Sequence, residues 1–528
     1  MQWKEAMKEE HNSLLLNDTW SYVKRADVHE NIISCKWVYR IKENHDNDSL
    51  RFKARLVIRG FEQTECGETY APVPKLPTIR MLFALAAVHN WDIWQMDVVT
   101  AFLHPKLDDD VYMELPEGYG LTSDNHDNLS PGECRRTYVC KLNKALYGLK
   151  QAPRAWYADI DSFLTKSLSF HRSVHDANLY MMHGLFLLLW VDDILLFSPS
   201  STVAISPIAH IKQQLSTKYR MKDLGEARLF IGIEIERDRH ACTIRLHQRK
   251  YIEETLEMFS MTSCNGVNLP LDRSAKLVAT SSSSSTAASE DSRLDNDGTT
   301  KYMSIVGKLM YAMIATRPDL AFAVSTLGKF NSAPTAAHLG AAKKVLRYLR
   351  KTSNIGITYG TTAASSNDVI GFSDSDWAGD LDTRRSTTGY VFLLSNGAIS
   401  WKSKRQPTVA LSSTEAEYMA ITDASKEGIW LQRLFHEVSP HITTPAKTPA
   451  PQRLLVDNNS AIELAKNPKH HDRTKHIDIR HHFIRDAVNE LKLIELCRVD
   501  TAYNTADIFT KALSVELHQR HVQGLGLR

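Results

Sequence analysis

Gly184-Leu-Phe-Leu-Leu-Leu-Trp-Val-Asp-Asp-Ile-Leu-Leu-Phe197 is the most apolar stretch of the chain, and two adjacent aspartates, Asp192 and Asp193, interrupt it. Burying one unpaired carboxylate is costly, and two side by side also repel. The flanking runs read as two buried strands with the acids at the turn between them. A divalent cation would offset both charges, whereas an ordinary Asp-Asp hairpin turn explains the pair equally well when it is taken alone. A third acid shifts the balance. Asp97 closes the short apolar pattern Trp91-Asp-Ile-Trp-Gln-Met96 and precedes Val98-Val-Thr-Ala-Phe102. Three carboxylates converging on one sheet edge can hold two Mg²⁺ ions about 3.5–4 Å apart, the arrangement that suits nucleotidyl transfer.

Around this stretch, 528 residues are enough for two to four domains, and the apolar and charged fractions, 43 % and 24 %, are those of a soluble globular protein. The net charge of +3 does not announce a nucleic-acid binder, so any basic surface must be local. Seven scattered cysteines without a Cys-x-x-Cys pair argue against a disulfide framework and a zinc finger, and for a reducing compartment. The N-terminus lacks the apolar core of a signal peptide, and the longest apolar run breaks at Asp192, too short to span a bilayer. A soluble, intracellular protein without membrane partners is expected.

Helical spacing covers Trp3–Leu16, Thr78–His89 with Thr78 as N-cap, and Ala155–Leu168. Strand-like runs at Ile32–Ile41 and Phe52–Ile58 flank the turn-rich 44–48 segment and suggest a hairpin. Leu229–Glu236 alternates, with Ile231, Ile233 and Ile235 on one face, and pairs with Thr243–Leu246 across residues 238–240 in a second hairpin. Residues 272–299, with the serine run Ser281–Ser285, read as a flexible linker. Lys301–Lys351 looks all-helical. Its last helix carries an apolar stripe of Ala342, Val345, Leu346 and Leu349, with Lys343, Lys344, Arg347, Arg350 and Lys351 facing elsewhere, either as a solvated face or as a rail for a nucleic-acid backbone.

The C-terminal third carries a second acidic set. Asp374 ends the strand Asp368–Ser373, and Gly389–Leu394, the turn Ser395-Asn-Gly397 and Ala398–Lys402 continue as an antiparallel meander. Ser412-Ser-Thr-Glu415 is a capping box opening a helix to about His436, with Glu417 near its start. Asp457 ends the strand Leu454-Leu-Val456, and Asp507 precedes Ile508–Leu513. Each acid alone fits a cap or turn. All four in this order can gather around two Mg²⁺ ions and direct water onto a phosphodiester. The stretch His470-His471, His476, His481-His482 lacks a nearby cysteine and is crowded by Lys469, Arg473, Lys475, Arg480 and Arg485, so a basic substrate-contacting segment is preferred to a zinc site.

Taken together, the chain closely resembles the reverse transcriptase and ribonuclease H region of copia-type long-terminal-repeat retrotransposon polyproteins. The matching stretches are Lys36–Tyr39, Phe52–Val57, Gln95–Leu103, Leu146–Trp156 and Val191-Asp-Asp193, followed by Gly371–Asp380, Leu411–Tyr418, Val456-Asp-Asn458, Arg473–Asp478 and Ala506–Leu513, over about residues 1–515. The resemblance implies a multidomain α+β and α/β chain. A right-hand polymerase of fingers, palm and thumb would occupy 1–271, the linker 272–299, a helical connection 300–366, a ribonuclease H-like mixed-sheet domain 367–515 and a C-terminal tail 516–528.

It further implies that Asp97, Asp192 and Asp193 are the polymerase metal carboxylates, and that Asp374, Glu417, Asp457 and Asp507 are those of the ribonuclease H. Two Mg²⁺ ions would serve each site, with Mn²⁺ as a substitute. Phe102 would block a ribose 2′-hydroxyl, Lys53 and Arg55 would contact the incoming triphosphate, Tyr147 and Gly148 would face template and nucleotide, and Leu229–Leu246 would lie near the primer terminus. The implied partners are an RNA template, a DNA primer, an RNA–DNA hybrid and deoxynucleoside triphosphates, together with element-encoded integrase and capsid proteins. The implied location is the cytoplasm, in a virus-like particle where the element is active, or the nucleus. Trp190 stands where many members have Tyr, and Gly60–Val73 is shorter than the usual segment. Both motivate the alternative of an inactive remnant that only binds nucleic acid. With no protease-like or integrase-like region ahead of residue 1, a processed piece or the reading frame of a decaying element copy is expected.

Overall fold

The computed structural model describes residues 2–43, 50–64, 67–107, 109–119, 131–199, 207–275, 277–279, 293–360, 368–442, 450–466 and 483–528. The chain forms two compact units, each built from separated segments. The first comprises 1–74, 94–196 and 202–225, and the second 75–93, 197–201 and 226–528. The expected 44–48 turn, the serine run Ser281–Ser285 and the five histidines from His470 to His482 lie outside the described residues. Among the described residues no helix is long and apolar enough to cross a membrane.

In the first unit, the helix Gln2–Leu16 precedes a four-stranded sheet in the order Trp20–Lys24, Tyr138–Leu142, Tyr112–Glu114, Ile32–Ile33. The expected first hairpin pairs Cys35–Glu43 antiparallel with Leu50–Ile58, so that Arg55 faces Val38 and Lys53 faces Arg40 across the ladder. A six-stranded sheet runs in the order Met221–Glu226, Asp92–Val98, Asp193–Ser198, Leu185–Trp190, Leu179–Met182, His171–Arg172. The decisive apolar stretch therefore forms two adjacent strands of this sheet. Leu187, Leu189, Ile194 and Leu196 pack into a core with Met96, Trp156, Ile160 and Tyr180. A continuous apolar run is what a strand covered on both faces requires.

The second unit contains the helix Leu76–Val88. It starts at Leu76 with Pro77 in its first turn, and Thr78 lies inside the helix instead of capping it. Proline is pre-set for the first helical positions, so it moves the start ahead of the threonine. In the first unit Pro153 acts likewise: the helix expected from Ala155 begins at Ala152 and runs to Ser162, with a π-type turn over Phe163–Ser167. The alternating 229–236 run is not one strand. Ile231 and Gly232 take positive φ (45° and 76°) and turn Leu229–Phe230 back onto Ile233–Asp238, which pairs in turn with Thr243–His247. Ile231 is thus a turn residue and leaves the face occupied by Ile233 and Ile235.

Helices Asn296–Ala315, Ala321–Gly328 and Ala336–Lys351 share a core that includes Ile305, Leu309, Val324, Leu327, Val345 and Leu346. Four of the five basic residues of the last helix are engaged by the chain itself. Arg347 Nε donates to the Asn265 carbonyl (2.7 Å), Arg350 Nε to the Thr262 carbonyl (2.7 Å) and Lys351 Nζ to Asn268 Oδ1 (2.6 Å), and Lys344 pairs with Asp272. They stitch the 262–272 segment onto the helix.

The C-terminal sheet has the order Gly397–Arg405, Thr387–Leu394, Ile370–Ser375, Gln452–Val456, Ile494–Arg498. Its first three strands are the expected antiparallel meander, and the last two run parallel to Ile370–Ser375. The helix Ser413–Val438 begins where expected: Ser412 Oγ accepts from the Glu415 amide (3.2 Å), while the Glu415 carboxylate accepts from the Leu411 amide (2.8 Å). The 516–528 stretch, expected as a tail, is an ordered part of this unit. Val515–Gly524 is helical, Leu525 and Leu527 are buried, and Leu527 bridges Ile357.

Candidate active site

In the first unit the acids meet at neighbouring strand ends. Asp97 lies near the end of Asp92–Val98, and the next strand of the sheet begins at Asp193. The Val98 amide donates to the Asp192 carbonyl at 2.8 Å, and Gln95 Nε2 donates to Asp193 Oδ1 at 3.3 Å. Val191 forms the corner with φ +54°, a conformation that a β-branched residue rarely adopts. The indole Nε1 of buried Trp156 donates to its carbonyl at 2.6 Å and pins the corner. Trp190 ends the preceding strand.

Beside these acids stands a stack of three side chains. The Phe102 and Tyr147 rings meet edge-on with centroids 5.2 Å apart, and the Arg55 guanidinium lies 5.0 Å from the centre of the Tyr147 ring. Burial pushes the Tyr147 hydroxyl up to about 12. Asp192 and Asp97 add to this shift and Arg55 opposes it, so both acids lie within electrostatic reach of the ring. Lys53 lies two residues from Arg55 on the same strand and hence on the same face. Gly148 has φ +97°, and a Cβ there would stand 2.1 Å from the Ile58 carbonyl oxygen. The close approach of the two chains, fixed by the Ile58 amide donating to the Tyr147 carbonyl (2.8 Å), explains the glycine without any ligand.

The second unit gathers the other acidic set more tightly. Asp374, Asp457 and Asp507 each offer a carboxylate oxygen within 4.8 Å of the other two. Asp374 and Asp507 are buried. Burial drives the Asp374 carboxyl up to about 8, with Asp507 and Asp457 adding and Lys511 and Thr510 opposing. Glu417 stands beside this trio. Its Oε1 accepts from the Ser375 amide (3.2 Å), its buried Oε2 finds no hydrogen-bond partner among the described residues, and its carboxyl is raised by burial, Asp374 and Asp457. Asp97, Asp192 and Asp193 do not close to the span of the C-terminal trio.

Two residues were missed by sequence reasoning. Thr510 Oγ1 donates to Asp374, and Lys511 Nζ lies 3.0 Å from Asp507 Oδ1 and 3.8 Å from Asp374 Oδ2. The spacing held the signal, since a lysine four residues after an acid in a helical stretch faces it. Both clusters present only hard oxygen donors, which suit Mg²⁺. The buried, mutually repelling carboxyls and the orphaned Glu417 oxygen fit a cation better than an empty polar pocket.

A family model described as reverse transcriptase (RNA-dependent DNA polymerase) matches residues 17–273. The Pol polyprotein of transposon TNT 1-94 from Nicotiana tabacum is 41 % identical over 97 % of this chain and 37 % of its own length. A putative transposon Ty5-1 protein from Saccharomyces cerevisiae is 31 % identical over 63 % of this chain and 100 % of its own length. The chain belongs to the copia-type retrotransposon Pol family and carries its reverse transcriptase region. This copia-type chain spans about a third of the length of the long curated polyproteins it matches. A solved foamy viral protease–reverse transcriptase in complex with double-stranded DNA overlays on 95 % of it and 70 % of that chain, with a TM-score of 0.49 at 12 % identity, and the family assignment does not rest on it. As in the expectation, the copia-type chain is a mixed α/β protein, with a reverse transcriptase part over 17–273, three packed helices after it and a five-stranded mixed sheet towards its end.

Proposed function

We propose that the chain copies RNA into DNA at the Asp97–Asp192–Asp193 corner and hydrolyses the RNA of the resulting hybrid at the Asp374–Glu417–Asp457–Asp507 cluster. The observation that carries this reading is two separate sets of carboxylates in a chain of reverse transcriptase family: Asp97, Asp192 and Asp193 at strand ends of one sheet, and Asp374 and Asp457 at strand ends of another, with Glu417 and Asp507 brought beside them by helical segments. The division of labour would follow the domains expected above, polymerase over 1–271 and nuclease over 367–515, with RNA template, DNA primer, deoxynucleoside triphosphates and hybrid as partners.

Bound Mg²⁺, two per site, would neutralise phosphate charge and activate the attacking oxygen. The residues of the chain would do the rest. Asp97, Asp192 and Asp193 would hold the polymerase ions on the rigid corner pinned by Trp156. Lys53 and Arg55 would clamp the triphosphate, with the Arg55 fork suited to two phosphate oxygens at once. Phe102, braced edge-on by Tyr147, would occupy the space of a 2′-hydroxyl and so select deoxynucleotides. In the C-terminal cluster, Asp374, Asp457 and Asp507 would hold the ions, with Glu417 lending its free oxygen and Lys511 balancing the charge while no cation is bound.

Primer extension on an RNA template and cleavage of a labelled RNA–DNA hybrid test both activities in one preparation. Asp192→Asn is expected to cut extension by roughly a hundredfold or more and spare cleavage, and Asp374→Asn to do the reverse. Extension that survives Asp192→Asn, or cleavage that survives Asp374→Asn, overturns the corresponding half.

A further inference from the structure

The second unit contains a cavity of about 550 Å³ that the catalytic reading leaves unused. Four cations line it from three separate elements: Lys329 just after the helix Ala321–Gly328, Arg385 from the loop ahead of Thr387–Leu394, and Lys404 and Arg405 from the end of Gly397–Arg405. We propose that this groove grips the phosphate backbone of the nucleic-acid duplex whose RNA strand reaches the acid cluster. The inference deepens the proposed hybrid nuclease and rests on that reading.

Two of the cations are fixed in advance. Buried Asp380 takes Lys329 Nζ at 2.8 Å and Arg405 Nη1 at 3.2 Å on a single oxygen, Oδ2, while its Oδ1 accepts from the amide (2.9 Å) and hydroxyl (2.7 Å) of Thr383. These bonds hold its carboxyl well below the usual carboxylate range, with Lys329 and Thr383 overcoming the effect of burial. One internal acid thus orders two cations without cancelling both. The loop carrying Arg385 is also rigid: the Asp380 amide donates to the Arg385 carbonyl (3.1 Å), and Ala378 and Gly379 fold tightly over Asp376. The acid that lines the groove, Asp423, faces Lys402 at 3.7 Å. Positive charge is therefore in surplus and partly pre-organised, which is what binding a phosphodiester chain demands.

The position fits as well. Thr388, which lines the groove, is the ladder partner of Ser375, the residue after Asp374. Neighbouring strands lie about 4.8 Å apart, so the backbone at Thr388 stands one strand from that of Ser375, with the Thr388 side chain on the sheet face opposite Asp374. The Ser375 amide also holds Glu417. A duplex that presents one strand to the acids would lay the phosphates of a strand across Arg385 and Lys404.

The test uses the full chain and a synthetic RNA–DNA hybrid. Binding is measured in an Asp374→Asn background, so that the hybrid survives, and cleavage in the wild-type background. Arg385→Ala with Lys404→Ala is expected to weaken binding roughly tenfold and to lower the slope of log affinity against log salt by about 2, one for each phosphate left without its cation. The fall in kcat/KM for cleavage should be carried by KM, and Arg385→Lys with Lys404→Arg should restore most of it. If the double alanine variant unfolds, Lys404→Glu alone, at an exposed position, carries the same test.

An unchanged affinity and salt slope would overturn the groove even if the wild type cleaves hybrid. A wild type that binds but does not cleave, with the slope still reduced in the double variant, would leave the groove standing and sink the nuclease reading instead.

Discussion

The ammonium of Lys511 lies 3.0 Å from Asp507 Oδ1, four residues back along the chain. Burial pulls this ammonium down, yet Asp374 and Asp507 hold it above its usual value, so the charged form is the stable one. Lys511→Met keeps the aliphatic stem and deletes the charge. In chelator the variant is expected to lose about 1 kcal/mol, a figure kept low because the side chain is 41 % exposed and water screens the pair. In saturating Mg²⁺ the loss should shrink, because the cation takes over the balance. Thermal unfolding with and without Mg²⁺ decides the point, and an equal loss in both conditions contradicts it.

The corner proposed for polymerisation allows a second prediction. Val191 is held at φ +54° next to Asp192, and Trp156 bonds its carbonyl at 2.6 Å. Trp156→Phe removes one buried hydrogen bond and leaves a carbonyl to find another donor, at a cost of about 1–2 kcal/mol. Because the corner carries Asp192, primer extension should fall by more than stability alone predicts, while hybrid cleavage persists. Urea unfolding set beside extension rates measures the difference.

Phe102 meets Tyr147 edge-on and has no polar side-chain atom, so the part proposed for it at the sugar is a steric one. Phe102→Ala should open the space above the sugar and raise ribonucleotide incorporation relative to deoxynucleotide by roughly tenfold or more. Single-nucleotide extension with paired ribo- and deoxy-substrates reads the ratio directly. An unchanged ratio would remove Phe102 from the sugar-selecting position.

The strands around Val191–Asp193 and those ending near Asp374 and Asp457 were legible because apolar runs stop at acids there, but each acid alone also fitted a turn or a cap, and only their number and order along the chain singled them out. What stayed hidden depended on contacts between distant residues or on one-residue backbone choices. Pro77 and Pro153 set helix starts that a capping argument placed too late. Ile231–Gly232 turns a strand that alternation would have run straight through, since Ile on its own favours extended chain. The cations of Ala336–Lys351 look solvent-facing in any helical projection, and their partners between Thr262 and Asp272 are fixed only by tertiary packing. The two discontinuous units have no local signature at all.

Two buried histidines predict an acid-sensitive C-terminus. Burial lowers both His518 and His521 to about 4. The Tyr348 hydroxyl gives its single proton to Asp319 (2.7 Å), which leaves His518 Nε2, 3.0 Å away, as the donor to that hydroxyl, while burial keeps the imidazole neutral at neutral pH. The unfolded chain takes up these protons near pH 6.5 and the native chain only near pH 4, so stability is full above pH 6.5 and falls between the two. Each histidine contributes a slope of about 1.4 kcal/mol per pH unit in that window. His518→Gln should keep a donor toward Tyr348 and flatten roughly half of the slope in denaturant unfolding across the window. A slope equal to that of the wild type would assign the acid sensitivity elsewhere.

Arg80 sets the largest expected stability loss. Its guanidinium is buried and bonds backbone carbonyls, with the Glu427 carboxylate acting only as a weaker electrostatic partner: Nε donates to the Ile399 carbonyl (2.7 Å), Nη1 to those of Ile314 (2.8 Å) and Ala315 (3.0 Å), and the group lies 3.8 Å from the centre of the Trp401 ring. Burial pulls it down to about 10, still charged at neutral pH. The two helical carbonyls belong to the last turn of Asn296–Ala315, where the helix dipole favours a cation, and the third comes from a strand of the C-terminal sheet. One side chain from the helix Leu76–Val88 thus satisfies backbone groups of two other elements. Arg80→Met fills much of the volume but orphans three buried acceptors and removes the cation–π attraction, for an expected cost of about 3–4 kcal/mol. Arg80→Lys restores the charge but cannot span all three carbonyls, so it should recover less than half. Equilibrium unfolding of the two variants separates charge from geometry: equal losses would mean that the fork, not the charge, holds these elements together.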